Sequence, residues 1–212
     1  ISGELDKPIG VLLEYTTDAP IESNLPVVTS AVSGRGQTNF GVVGAGLFGK
    51  ALLLPALKNI PEICLHTLVT NSGANVEHSG RKFGFLHQAT DADNLWSNPD
   101  IQAVIGLTPH SQHASLVRSA LENQKALFLE KPLCTTEEEL SELLTLGEQA
   151  KSLPILMVGH NRRFSPHTEI MRTWLKSRNT PLVVQMRVNC GFVPATHWVH
   201  SEDEGRSRIV GE

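Results

Sequence analysis

Three glycines spaced Gly44-x-Gly46-x-x-Gly49 follow the apolar run Phe40–Val43 directly, and this is the arrangement that seats a dinucleotide pyrophosphate. Gly44 permits a tight turn, Gly46 keeps a side chain away from the phosphates, and Gly49 lets the next helix pack closely on the strand. That helix, opening near Leu47, adds free N–H groups and a positive dipole end, so Ala45, Leu47 and Phe48 join the glycines as candidate contacts. A second set is Glu130-Lys131-Pro132, just after the run Ala126–Leu129. A lysine at the carboxyl end of a strand can hydrogen-bond a substrate hydroxyl and lower the pKa of a neighbouring base, so Lys131 is the catalytic candidate. A third is Thr108-Pro109-His110 at the end of the run Ala103–Leu107, with His113 one turn on.

Two histidine pairs have a spacing that metals use, His110-x-x-His113 and His197-x-x-His200. The first has no carboxylate or cysteine nearby, so its histidines read as polar residues at a helix start. The second reads the same way, although Trp198 and the acidic stretch Ser201–Glu204 would suit a loop over a cleft. No metal is expected. Thr70-Asn71-Ser72 ends the second apolar run, about twenty residues past the glycines, where an NAD site places an acid on the ribose 2′-hydroxyl. No acid is there, and Arg81 or Lys82 is a candidate to reach a 2′-phosphate, so NAD and NADP both stay open.

Positioning these groups on one edge requires strands and helices in alternation, and the chain supplies them. Apolar β-rich runs fall at Phe40–Val43, Ile63–Thr70, Phe85–Gln88 (the weakest), Ala103–Leu107, Ala126–Leu129 and Ile155–Gly159. Helical stretches fall at Leu47–Asn59, Ala74–Phe83, Asp91–Trp96, Ser111–Glu122 and Thr136–Lys151, the last opened by a Thr cap and three glutamates. Near-continuous apolar strands imply a sheet covered on both faces, the parallel case. The expected fold class is therefore α/β, a Rossmann-type doubly wound parallel sheet, followed by the truncated start of an α+β second domain. Residues 1–37, with Pro8, Pro20 and Pro26, read as a linker or arm, residues 38–161 as the dinucleotide-binding domain, and residues 162–212 as an incomplete substrate domain. In the last of these a helix is expected to reach about Lys176, with a strand over Leu182–Cys190.

The 212 residues carry a net charge of −4, which offers no basic stripe for nucleic acid and no cationic face for a membrane, so a small-molecule partner is favoured. Three scattered cysteines without a C-x-x-C point to a reducing, cytoplasmic setting. No apolar run approaches a membrane span of about 20 residues, and no signal pattern opens the chain. The first residue is Ile, which suggests a fragment or a processed chain.

The glycine loop, Thr108-Pro109-His110, Ala126–Leu133 with its Glu-Lys-Pro, and Met157–Pro166 with its Asn161-Arg162 resemble, in that order, the glucose–fructose oxidoreductase / inositol dehydrogenase family (Gfo/Idh/MocA). The resemblance covers about Asn39 to Glu212. It implies hydride transfer between nicotinamide C4 and a carbon of a sugar, cyclitol or related polyol, with Lys131 beside the nicotinamide and Asn161 and Arg162 near the cofactor. A general-base histidine, usually with an Asp, is implied downstream of Arg208–Glu212, and a homo-oligomer is implied for the full-length protein. The chain alone is accordingly expected to bind dinucleotide weakly or not at all and to turn over little. Gly205-Arg206-Ser207 departs from the family's more glycine-rich run, and His160 stands where Phe or Tyr is usual. Lys7–Tyr15 looks like the connector of bi-domain oxidoreductases, in which a zinc-type alcohol dehydrogenase domain comes first. A non-catalytic NAD(P) or sugar sensor of the same architecture is the alternative, and retention of Lys131 weighs against it. A methyltransferase reading of the glycines leaves Glu130-Lys131-Pro132 unexplained.

Overall fold

The computed structural model describes residues 36–187, 189 and 191–201. The expected arm, apart from Gly36 and Gln37, and the segment Gly205–Glu212 lie outside them. Six strands, β1 (Thr38–Val43), β2 (Ile63–Val69), β3 (His87–Ala89), β4 (Ala103–Gly106), β5 (Ala126–Glu130) and β6 (Leu156–Gly159), form one sheet in the order 3-2-1-4-5-6, every neighbouring pair parallel. This is the doubly wound order of a Rossmann fold. The chain leaves β1 toward one side and β4 toward the other, so a crevice must open above their carboxyl ends.

Alternation along each strand explains the continuous apolar runs. Successive side chains point to opposite faces. Val42, Leu68 and Ile105 join Leu54, Val76 and Phe83 on one face, beneath α1 (Leu54–Lys58) and α2 (Gly73–Phe83). Their neighbours Val43, Val69 and Val104 join Leu95, Leu116, Val117 and Leu143 on the other, beneath α3 (Asp93–Ser97), α4 (His113–Glu122) and α5 (Glu137–Gln149). The central strands are thus covered on both faces, whereas the edge strand β6 leaves Leu156 and Met157 exposed.

Local chemistry sets the helix ends. Thr136 accepts a hydrogen bond from Glu139 N while the Glu139 carboxylate receives Thr136 N, a reciprocal capping box that starts α5. Gly84 ends α2 at φ +82°, a left-handed conformation that suits glycine. The helix after the glycine loop begins at Leu47, and its stretch Gly49–Leu53 is wound as a π-helix before α1. Such widened turns collect at functional sites.

Two expectations are corrected. The third strand forms at His87–Ala89 instead of Phe85–Gln88, because Phe85 and Leu86 turn into the core and are 3% and 8% exposed. Residues 182–187 and 189 have no regular structure, against the strand expected over Leu182–Cys190. No strand among the described residues pairs with them, and an unpaired strand leaves its backbone polar groups and apolar side chains in water, as with Val183 and Met186. The last α-helix among the described residues, α6 (Pro166–Leu175), is capped by Ser165 and opened by a proline, and it buries no residue.

Candidate functional site

The glycine loop is built where β1 meets β4. Gly44 N donates to Val69 O (2.8 Å) and Leu107 N donates to Val43 O (2.7 Å), which fixes the loop between the ends of three strands. Gly44 sits at φ +90°, and a Cβ there would lie 2.5 Å from Leu107 O. A Cβ on Gly49 would meet Leu107 Cδ1 at 2.8 Å. Gly44 is thus required by the backbone itself, whereas at Gly49 only the end of the Leu107 side chain would have to move. At Gly46 a Cβ would meet only Leu107 O, at an ordinary 3.9 Å. The space above Gly46 is therefore left open by the fold.

Two adjoining cavities meet over Gly46, Leu107 and Thr108. The first, about 430 Å³, runs from the glycine loop over Val69, Thr70 and Asn71 to Asn75, Asp91 and Gln112. The second, about 350 Å³, runs over Leu47, Phe48 and Gly49 to His110, Glu130, Lys131 and Asn161. Each has the size of a small-ligand site, and together they suit a molecule with two halves joined near Gly46. Thr108 Oγ1, in the seam, is buried with no protein partner. A buried hydroxyl without a partner is costly, and an acceptor or donor placed in the seam would relieve it. The open space at Gly46, the orphaned Thr108 hydroxyl and the two-lobed shape fit a dinucleotide.

The lysine edge is formed by the end of β5. Lys131 follows the strand's last residue, the Lys131-Pro132 bond is cis, and Glu130 lies close to Gly159, where a Cβ would meet Glu130 Oε1 at 2.9 Å. Glycine at 159 thus leaves room for the Glu130 side chain. Burial pushes the Glu130 carboxyl up from its ordinary pKa, against the pull of the Lys131 backbone N–H, the Lys131 ammonium and the His113 and His160 rings.

At the other end, Thr70 Oγ1 donates to Ser72 O (2.9 Å), and Lys50 Nζ donates to Asn75 Oδ1 (3.2 Å), joining the helix after the glycines to the start of α2. Arg81 and Lys82, expected near a 2′-phosphate, lie in the last turn of α2, whereas the cleft meets its first turn at Asn75. Arg81 is instead paired with Glu77 at 2.7 Å. The helix runs back along the sheet and carries both cations away from the crevice.

Of the other candidates, Ala45, Pro109 and His110 line the cleft. Arg162, beside Asn161, is exposed and outside the lining, and Pro132 presents its carbonyl to a buried ring. That ring is His113, expected as a cofactor contact. It is 0% exposed, with both nitrogens facing backbone carbonyls, and it also borders the second cavity. Sequence reasoning missed Asn75, Thr90, Asp91, Ala92 and Gln112. The usable signal was topological: Thr90–Ala92 follow β3, the weakest of the apolar runs, at the carboxyl edge of the sheet. Among the described residues no group of three or more His, Cys, Asp or Glu side chains gathers as a metal site would, and no helix is long and apolar enough to cross a membrane.

The model of an oxidoreductase family with an NAD-binding Rossmann fold, GFO_IDH_MocA, matches residues 38–160. The chain is 32% identical over 133 residues to an inositol 2-dehydrogenase of Rhizobium meliloti, covering 63% of this chain and 39% of that protein. It is 30% identical over 131 residues to a scyllo-inositol 2-dehydrogenase (NAD(+)) of Bacillus subtilis, covering 61% and 37%. Its fold superposes on that of a levoglucosan dehydrogenase in complex with NADH and levoglucosan with a TM-score of 0.58 at 25% identity, covering 66% and 39%. The chain thus spans about two fifths of the length of the curated relatives it matches.

Proposed function

The chain belongs to the Gfo/Idh/MocA oxidoreductase family with its NAD-binding Rossmann fold, and from that premise we propose that it forms the cofactor half of an enzyme oxidising or reducing a sugar, cyclitol or related polyol. The observation that carries this is the two-lobed cleft, with the glycine loop at its seam and Lys131 in the second lobe. Gly44–Gly49 would hold the pyrophosphate, the Thr70–Asn75 lobe the adenosine, and the lobe of His110, Glu130, Lys131 and Asn161 the nicotinamide. A nicotinamide bound there supplies the hydride donor or acceptor. Lys131 Nζ then donates to the oxygen on the reacting carbon, holding it in line and favouring its deprotonated form.

NAD is the favoured cofactor. Asp91 is the one ionisable side chain lining the adenosine lobe among the described residues, and a 2′-phosphate would meet that carboxylate with Arg81 and Lys82 out of reach. The similarity to the NAD(+)-dependent scyllo-inositol 2-dehydrogenase of Bacillus subtilis supports the same choice. Calorimetric titration of the chain should give saturable binding of NADH and weaker binding of NADPH. No saturable response to either would remove the cofactor reading, and tighter NADPH binding would reverse the choice between them.

A further inference from the structure

We infer that His113 is a positioning residue that fastens the two loops bordering the nicotinamide lobe to each other, an inference that rests on the cofactor reading above. His113 is the first residue of α4, and its ring is fully buried. Nδ1 faces Pro132 O, in the loop that carries Lys131, and Nε2 faces Thr108 O at 3.1 Å, in the loop at the seam of the cleft. The two carbonyls belong to segments that follow different strands, β4 and β5. The pairing of β4 with β5 ends at Gly106 and Leu129, and beyond it the ring lies between the two loops. A flat side chain with a polar atom at each end spans the gap. A neutral imidazole donates to one carbonyl at a time, and in either tautomer it fills the space between them.

The consequence concerns the nicotinamide lobe. Thr108 lines both lobes, whereas Lys131 lines only the second. Loosening the link should let the Lys131 loop drift relative to Thr108 while the adenosine lobe, built from the ends of β1, β2, β3 and β4 without any residue of the Lys131 loop, keeps its shape. Positioning losses of this kind fall on the part of a ligand that bridges the loosened elements.

The test compares NADH with ADP-ribose, which lacks the nicotinamide, by calorimetry on the 212-residue chain. For His113→Ala the Kd for NADH should rise about tenfold, the size of one lost buried hydrogen bond, while that for ADP-ribose stays within about twofold. His113→Gln, which keeps a side-chain donor, should recover part of the NADH affinity. Equal losses for the two ligands, or unchanged NADH binding, would overturn the inference. Melting curves report whether each variant folds, and if His113→Ala does not, the same two criteria apply to His113→Gln. A wild-type chain that binds neither ligand removes the cofactor reading and the inference with it. A wild-type chain that binds both, with variants that lose them in parallel, removes the inference alone.

Discussion

Single residues divide between those the fold needs and those left for a ligand. Gly44 is fixed by the Leu107 backbone, whereas Gly46 has space above it, so the same residue type has two physical causes within one loop. The sequence pattern alone treats the three alike. His66 shows a stability effect of the same scale. It is buried in β2, its Nδ1 lies 2.8 Å from Thr67 Oγ1, and its ring is 4.7 Å from that of His87. Burial, and then the His87 ring, hold its pKa below the ordinary value against a weaker pull from Asp100. The folded chain therefore refuses a proton that the unfolded chain accepts once the pH falls below about 6.5. Stability should decline as the pH drops from there and gain nothing from His66 above it. Urea midpoints measured between pH 7.5 and 5.5 should fall with pH, and His66→Gln should flatten the slope. An equally steep slope in the variant would assign the effect to other groups.

Elements were legible where periodicity and end signals agreed. A threonine cap at 135 or 136 with acids behind it marked α5, and the structure assigns it to Thr136 as a reciprocal box. Thr136→Ala should cost about 1 kcal/mol of stability, read as a lower urea midpoint, with NADH affinity unchanged because α5 does not line the cleft. The weak third strand shifted by two residues because Phe85 gains more from burial than from pairing at the sheet's edge. The alternating segment after Pro181 stayed irregular because a strand is a property of a pair, and the described residues offer no partner. Periodicity reports what a segment could bury, not what stands beside it.

For the whole molecule, the sheet order matters more than any element, since it brings loops from positions 44, 70, 91, 108 and 131 to one edge. Leu129 is fully buried in the core that holds β4, β5 and α4 together. Leu129→Ala should cost about 2–5 kcal/mol, and denaturant curves would show it as a single lowered midpoint. A change below 1 kcal/mol would mean that this core relaxes around the cavity. The sequence by itself determined the α/β alternation, the glycine loop and the Glu-Lys-Pro element, because these depend on local conformation and on apolar runs that read along the chain. Only the tertiary structure decided that Arg81 and Lys82 point away from the cleft, that Asp91 enters it, and that the His113 ring lies between the carbonyls of two loops. Those outcomes depend on which helix end faces the crevice and on which carbonyls lie across it, distances set by packing between segments far apart in the chain.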